Sequence, residues 1–228
     1  MYETLKPKYK KIYYPNGVKM KGTLTFIDQQ SDDWFRARLG VITASKLSKC
    51  FTGKLAISKA GSLTLAKELA GELVYKHNNE LPDNFQSYAM MRGSALEVEA
   101  KENLMFLYHG YDSTEGGFYL NEEHNIGASP DLILTGMDGT FGAEIKCPLP
   151  KTHLDYVLEG GTPAAYMAQV HLGMILLGAD EWLFCSYCEG VKMLMHRQKK
   201  DLEFVKKIEE VIADVNEKLL EFRKVLEV

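Results

Sequence analysis

The sequence predicts an α/β (α+β) fold in which a mixed central sheet is flanked by helices. Two β-like runs surround a turn signal between residues 125 and 147, and a second such pair covers 182–188 and 191–197. Helical periodicity occupies most of the remaining chain and ends in an amphipathic stretch over 201–228. This order favours one sheet of three to five strands, centred on the first hairpin.

Length and composition favour a single folded domain across residues 1–228. The chain has 228 residues, of which 46% are hydrophobic and 25% are charged, as in an ordinary globular protein. Its net charge of −4 is unusual for a nucleic-acid coat protein, which is ordinarily basic. The charge does not exclude a nuclease in which positive charge is confined to one channel.

Cysteine usage and hydropathy bear on the cellular compartment. Cys185 and Cys188 are spaced so that a strand would put their sulfurs on opposite faces. Because no second pair or histidine cluster completes a zinc site, we interpret all four cysteines as reduced thiols. No run reaches membrane length and no leader peptide is expected. We therefore expect a cytoplasmic protein with no membrane partner.

Residues 1–26 form a basic N-terminal arm in which lysines and tyrosines are interleaved. Lysines with aromatic residues can follow a nucleic-acid backbone. Chain termini of this kind are more often solvated and only partly ordered. We favour the second interpretation.

A short helix is predicted over residues 28–40, where Trp34 and Arg38 lie four apart and share a face. Thr43 or Ser45 then begins a second helix. Free backbone amides at this start, with the Arg38 guanidinium nearby, would bind an anion. An arginine–tryptophan stack beside an ordinary helix cap is an equally good interpretation.

Two further helices are predicted, over residues 62–78 and from Ser94 to residue 110. Ser94 and Glu97 fit a capping box, so Glu97 has a structural interpretation in which it accepts from a backbone amide. Residues 116–120 are expected to form a strand that pairs with the first hairpin.

The helix predicted over residues 164–177 carries the polar side chains Tyr166, Gln169 and His171. Gln169 is either hydrogen-bonded in the core or directed at a site. We interpret His171 as a core or surface histidine with its hydrogen bonds satisfied, because a lone histidine makes a poor metal site. The closing helix over 201–228 is expected to cover the sheet or to form a subunit contact.

The hairpin between residues 125 and 147 carries the chemistry. With Asp138-Gly139 as a two-residue turn, Asp131 lies across from Lys146 and diagonal to Glu144 on one face. Two carboxylates supply the hard oxygens that Mg²⁺ prefers, and a lysine can orient a water or stabilise developing charge. A surface hairpin with a cross-strand ion pair is the alternative, and it is the commoner meaning of Glu-x-Lys alone.

Four sequence blocks, taken in order, resemble the λ exonuclease (YqaJ-type viral recombinase) family of phages and prophages. One of their features is the PD-(D/E)xK signature of restriction-endonuclease-like nucleases. The resemblance spans residues 34–188. The blocks are Gly40-Val-Ile-Thr-Ala-Ser45, Ser129-Pro-Asp131, Glu144-Ile-Lys146-Cys-Pro148 and Tyr166-Met-Ala-Gln-Val170.

The resemblance implies a Mg²⁺-dependent alkaline exonuclease, with Mn²⁺ able to substitute, that digests one strand of duplex DNA from its 5′ end. The product would be a 3′ single-stranded overhang for recombination by strand annealing. The resemblance also implies a processive homotrimer ring and a single-strand annealing partner of the Redβ or RecT type. These would act in the cytoplasm of a bacterial host.

Catalytic roles are implied residue by residue. Asp131 and Glu144 correspond to the metal carboxylates, and the Ile145 carbonyl corresponds to a backbone metal ligand. Lys146 corresponds to the lysine beside the attacking water. Glu97 corresponds to an acid near a second metal.

A pocket for the 5′-phosphate is implied at Arg38, Ser45 and Ser129. Trp34 and Thr43 join this set because they lie beside Arg38 and at the predicted helix start. The residues expected to support the active site are Gln169 and Tyr166.

Two other functions remain open at the level of sequence. A structure-specific DNA endonuclease of the same fold is one alternative. A sequence-specific endonuclease would be expected to carry an element that reads base edges, and none is evident. A non-catalytic module that binds DNA ends would keep the fold without cleaving. The intact Asp131, Glu144 and Lys146 argue against that module.

Overall fold

The structure, a computed structural model, describes residues 20–82 and 88–228, without the side chains of residues 88–90. Residues 1–19, most of the predicted basic arm, lie outside this part of the chain. The rest of the arm includes a short strand that pairs with the body of the protein. Within the described ranges no helix is long and apolar enough to cross a membrane.

The described chain contains seven α-helices and nine β-strands. The helices are α1 (Asp32–Arg38), α2 (Ala44–Leu47), α3 (Lys59–Asn78), α4 (Tyr88–Leu107), α5 (Pro150–Glu159), α6 (Ala164–Leu177) and α7 (Leu202–Leu226), with a 3₁₀ turn at Ser48–Cys50. The strands are β1 (Thr23–Thr25), β2 (Ile42–Thr43), β3 (Asp112–Glu115), β4 (Phe118–Asn121), β5 (Ile126–Ala128), β6 (Leu132–Gly136), β7 (Gly139–Lys146), β8 (Glu181–Ser186) and β9 (Leu194–Lys199).

These strands form two sheets, where the sequence predicted one. The larger sheet has the order β3-β6-β7-β8-β9, with β7 and β8 parallel and the other neighbours antiparallel. The mixed fold class is confirmed, and β7 lies at the centre of this sheet. The smaller sheet, β1-β4-β5-β2, was not predicted as a separate sheet. Strands β1 and β2 have only three and two residues and show too little alternation, and β4 was assigned to the hairpin.

The β-like run over residues 126–135 is two strands in different sheets, β5 and β6. Ser129, Pro130 and Asp131 form the crossing between them. Pro130 has no backbone N–H for a strand ladder. Its carbonyl lies 2.1 Å from the position that a Cβ on Gly116 would take, so only glycine fits there. The break places Ser129 and Asp131 where the two sheets meet.

The hairpin between β6 and β7 turns one residue earlier than predicted. Gly136 pairs with Gly139, so the two-residue turn is Met137-Asp138 and not Asp138-Gly139. Gly139 has a φ of +118°, which glycine adopts without strain.

The predicted pairing of Asp131 with Lys146 is therefore wrong by two residues. Leu132 pairs with Ala143, whereas the predicted register would pair it with Ile145. The Asp131 amide donates to the Ala143 carbonyl at 3.1 Å. Because a shift of two preserves the alternation of faces, Asp131, Glu144 and Lys146 still share one face, as predicted.

The predicted capping box at Ser94 and Glu97 is wrong. Helix α4 begins at Tyr88, so both residues lie inside it. The strand predicted over residues 116–120 is β4, which pairs with β1 and β5. The neighbour of the hairpin is β3.

Helix α5 was not predicted, because two prolines, Pro148 and Pro150, are typical of the end of a strand and not of a helix. Pro150 is instead the first residue of the helix, where its missing N–H costs nothing. Helices α1, α6 and α7 confirm the predictions, with Ser31 and Asp201 as side-chain caps of α1 and α7. All four cysteines are free thiols, as predicted.

Helix α6 lies between the two sheets and packs on both. Two glycines, Gly142 on β7 and Gly173 on α6, lie against the indole of Trp182. A Cβ at Gly173 would come within 2.5 Å of that ring, so the helix approaches the sheet only through glycine. This close packing brings the start of α6 over the end of β7.

Candidate active site

One cavity of about 180 Å³ is lined by ten residues from separate parts of the chain. Eight of them were predicted as site residues, and the other two are Gln29 and Ala44. The ten are Gln29, Trp34, Arg38, Ala44, Ser45, Ser129, Asp131, Glu144, Lys146 and Gln169. Both predicted metal carboxylates and four of the five residues predicted for the phosphate pocket therefore share a single cavity, and Ile145 and Thr43 do not line it.

The carboxylate half of the cavity is built on the β6–β7 hairpin. Asp131 Oδ2 accepts the Ile145 backbone amide at 2.6 Å. Glu144 is 2% exposed, and its Oε1 accepts from Lys146 Nζ, two residues along the same strand. No described residue donates to Asp131 Oδ1 or to Glu144 Oε2, so each carboxylate keeps one oxygen for another partner.

The electrostatics of this half favour a cation. Burial and the neighbouring charge of Glu144 raise the pKa of Asp131. Burial disfavours the Lys146 ammonium, but the charges of Glu144 and Asp131 outweigh it and raise the pKa of Lys146. Two acids facing one lysine leave excess negative charge in a poorly hydrated place, which is costly.

The donor set fits a divalent cation that brings its own water. In the described ranges, no group of three or more His, Cys, Asp or Glu side chains is arranged to hold a metal. Mg²⁺, however, ordinarily takes one or two carboxylates and completes its shell with water and phosphate oxygens. The two free oxygens of Asp131 and Glu144 suit that mode. The Ile145 carbonyl as a further ligand stays a prediction.

The other half of the cavity centres on Arg38. Its guanidinium lies over the Trp34 ring at 4.0 Å and donates to Ser129 Oγ at 3.3 Å and Ser45 Oγ at 3.2 Å. Trp34 Nε1 also donates to Ser129 Oγ, at 2.9 Å. The sequence left open whether Arg38 stacks on Trp34 or contributes to an anion pocket. In the structure it does both: it lies over the Trp34 ring and donates to two serine hydroxyls.

Arg38 remains a cation at neutral pH. Burial lowers the pKa of Arg38 to about 10, against the opposing charges of Glu72 and Glu144. Three O–H or N–H groups and a cation thus surround one small space. Such a set suits a phosphate group.

Thr43 contacts a residue of this pocket, Ser45, but does not line the pocket itself. It is fully buried at the start of α2, and its hydroxyl lies 3.4 Å from Ser45 Oγ. Helix α2 has only four residues, so side-chain donors count for more here than a helix dipole. Glu72 on α3 binds both ends of the segment from Gly40 to Lys46. It accepts from Lys46 Nζ at 2.6 Å and from the Gly40 amide at 3.0 Å.

Glu97 lies outside the cavity, in an adjoining groove that Gln29 also lines. It forms an ion pair with Lys101 at 2.9 Å. Its charge contributes to the raised pKa of Asp131, behind burial and Glu144, so the two acids are close. Glu97 lies inside α4 and caps no helix, so the capping interpretation is removed and the ion pair with Lys101 is its structural contact.

Helix α6 contributes Gln169 to the cavity and Tyr166 beside it. The Lys146 ammonium lies 5.4 Å from the centre of the Tyr166 ring, and the Tyr166 hydroxyl is 3.0 Å from that of Tyr156. His171 is fully buried, with Nδ1 at 2.8 Å from the Met167 carbonyl and Nε2 accepting the Asp201 amide at 3.1 Å. It is therefore the satisfied core histidine that the sequence predicted.

The sequence of residues 33–180 matches the YqaJ-like viral recombinase domain. The chain belongs to this family. The match covers both halves of the cavity, apart from Gln29. Among curated protein sequences, none matches the chain.

Solved structures of two exonucleases resemble this YqaJ-like protein. LHK-Exo, an alkaline exonuclease from Laribacter hongkongensis, is 26% identical with a TM-score of 0.73, over 86% of this chain and 97% of its own. Its complex with dAMP matches equally well, over 86% of this chain and 96% of its own. A phage-related exonuclease from Haemophilus somnus has a TM-score of 0.62 at 15% identity, over 82% and 95% of the two chains. The last likeness shows a common fold alone.

Sequence reasoning missed Gln29 and Ala44 in this YqaJ-like cavity, and also Arg92, which holds the end of β7. Gln29 precedes the cap of α1 by two residues, and nothing in its neighbourhood distinguishes it from a loop residue. Arg92 on α4 donates to the carbonyls of Cys147 (3.4 Å) and Pro148 (3.1 Å), which ties the helix to the end of β7. Its place before Gly93 in a helical stretch gave no signal of that contact.

Proposed function

We propose that this protein is a Mg²⁺-dependent exonuclease that degrades one strand of double-stranded DNA from its 5′ end, with Mn²⁺ able to substitute. The observation that carries the proposal is that a carboxylate–lysine centre and an arginine–serine pocket share one cavity of about 180 Å³. The first suits phosphodiester hydrolysis and the second suits a terminal phosphate. Their closeness favours cleavage beside a strand end.

The residues divide the hydrolytic work. A bound divalent cation would polarise the scissile phosphate and lower the pKa of a coordinated water. Asp131 Oδ1 and Glu144 Oε2 would hold it, with the Ile145 carbonyl. Lys146 orients the attacking water and stabilises the charge that develops on the phosphate. Glu97 is proposed as an acid near a second cation.

The pocket around Arg38 gives the enzyme its polarity. The 5′-phosphate would accept from the guanidinium and from the hydroxyls of Ser45 and Ser129. Ser129 lies two residues before Asp131, so the held phosphate and the scissile bond stay a short, fixed distance apart. LHK-Exo is an alkaline exonuclease whose structure was solved with dAMP, a mononucleotide of the kind that an exonuclease releases.

Membership of the family supports a proposal for the biological setting. We propose a processive homotrimer ring around DNA and a single-strand annealing partner of the Redβ or RecT type, in the bacterial cytoplasm. A net charge of −4 is consistent with a negative outer surface and positive charge kept to a channel. Light scattering tests the ring, because a monomeric mass with processivity retained would contradict it.

The test of activity compares linear duplex DNA with a covalently closed circle, each with Mg²⁺ or with EDTA. We expect loss of label from the 5′ end of the linear duplex with Mg²⁺ only, and an intact circle. Cutting of the circle would indicate an endonuclease. Binding of ends without cleavage would indicate a non-catalytic module. Asp131→Asn serves as the inactive control.

A further inference from the structure

Gln29 holds the segment that carries Asp131, although no sequence motif points to it. Its Nε2 group donates two hydrogen bonds, to the carbonyls of Gly116 (2.7 Å) and Pro130 (2.8 Å). These acceptors are 87 and 101 residues away in the chain. One side-chain amide therefore joins the approach to α1, the β3–β4 connection and the crossing between the two sheets.

The Pro130 carbonyl belongs to the same peptide unit as the Asp131 amide. That amide donates to the Ala143 carbonyl at 3.1 Å, and the Asp131 carboxylate accepts from the Ile145 amide at 2.6 Å. Asp131 is thus fixed at three points: the carbonyl before it, its own N–H, and one carboxylate oxygen. Strand β7 supplies two of these contacts, and Gln29 supplies the third.

The third contact matters because Pro130, between Ser129 and Asp131, has few other restraints. Pro130 has no N–H to give to a ladder, and Gly116, packed against its carbonyl, has no side chain. Asp131 also faces Glu144, a second acid on the same strand face. Repulsion between the two carboxylates would turn a loosely held Asp131 away from the cavity before a cation arrives.

Gln29 is itself well placed to be rigid. It lines both the cavity of Asp131 and the adjoining groove of Glu97. Both protons of its amide are used, so the plane of the amide is fixed. Gln30 follows in a left-handed conformation, with φ at 68°, which turns the chain into the cap of α1.

We propose that Gln29 is a positioning residue for the divalent cation, because it fixes the Pro130–Asp131 peptide and so directs the free Oδ1 of Asp131 at the ion. The inference rests on the proposed function, since that function places the cation at Asp131 and Glu144. Groups that orient metal ligands in this way commonly change metal affinity or activity by about 10- to 100-fold when removed.

Gln29→Met tests the proposal, because methionine keeps the length of the side chain and removes the donor. Calorimetry of the DNA-free protein with Mn²⁺ or Mg²⁺ is expected to show affinity reduced about 10- to 100-fold. The Mg²⁺ concentration for half-maximal cleavage should rise in parallel. Binding of a 5′-phosphorylated duplex in EDTA should be unchanged. Gln30→Asn is the matched control, since Gln30 is exposed and asparagine tolerates its left-handed backbone.

Unchanged metal affinity in Gln29→Met would overturn the inference, and so would equal losses of metal binding and of DNA binding. If Gln29→Met does not fold, Gln29→Asn decides: it keeps an amide that is too short to reach both carbonyls. Reduced metal affinity at a wild-type melting temperature supports positioning, and wild-type affinity refutes it.

Asp131→Asn separates the inference from the proposed function. If this variant binds metal as the wild type does, the cation is elsewhere and both proposals fail. If it loses metal binding while Gln29→Met keeps it, only the role of Gln29 is wrong.

Discussion

Arg38→Ala is the most direct test of the phosphate pocket. In the free protein the guanidinium is already held by the Trp34 ring and by Ser45 and Ser129. Little order is lost when an anion binds such a prepared donor. A charge-assisted hydrogen bond contributes about 1.5–3 kcal/mol. At about 1.4 kcal/mol per decade, its loss slows the phosphate-dependent step about tenfold to a hundredfold.

The assay measures digestion of linear duplexes that carry either a 5′-phosphate or a 5′-hydroxyl. Arg38→Ala should be slow on phosphorylated ends, and its rate should approach that of the wild type on hydroxyl ends. Arg36→Ala is the matched control, because Arg36 lies on the same helix and donates to Asn79, at the surface. If Arg38→Ala keeps the wild-type preference for phosphorylated ends, the phosphate is bound elsewhere and Arg38 is a structural partner of Trp34.

Three further outcomes are expected. Glu144→Gln should abolish cleavage and metal binding in calorimetry while leaving binding of DNA ends intact; full Mg²⁺-dependent activity would remove Glu144 from the site. Lys146→Met should lose about 10²-fold or more in rate with metal still bound, and loss of metal binding would contradict its role. Burial lowers the pKa of His171, so the folded protein holds it neutral, and the free energy of unfolding should fall as the pH drops below 6.5. Denaturant unfolding at pH 7.5 and 5.5 should show a smaller change in that free energy for His171→Gln than for the wild type.

Local patterns in the sequence predicted the long elements well, because capping and periodicity act within a few residues. Helix α7 has its apolar stripe and its Asp201 cap within one stretch of chain. The capping box at Ser94 failed for the opposite reason. A Ser-x-x-Glu pattern also occurs inside helices, and the described part of α4 already includes Tyr88, upstream of it.

The carboxylate–lysine centre could be predicted from sequence because its geometry tolerates an error of two residues in the strand register. Asp131, Glu144 and Lys146 share a face under either register, because the predicted and observed pairings differ by two residues. A shift of one would have separated them. Gln29 could not be predicted in this way, because its contacts are with carbonyls 87 and 101 residues away in the chain. Contacts of that range leave no periodic trace in sequence.

The break between β5 and β6 links the two halves of the cavity. Ser129 ends the smaller sheet's segment and meets Arg38, while Asp131 begins the larger sheet's segment and meets Ile145. Only Pro130 separates them, and its carbonyl is held by Gln29. The spacing between the proposed phosphate pocket and the proposed metal carboxylate is therefore set by a single restrained residue. A flexible linker there would leave each half intact and yet allow the distance between the strand end and the cation to vary. A short crossing held by hydrogen bonds therefore suits the proposed cleavage at strand ends.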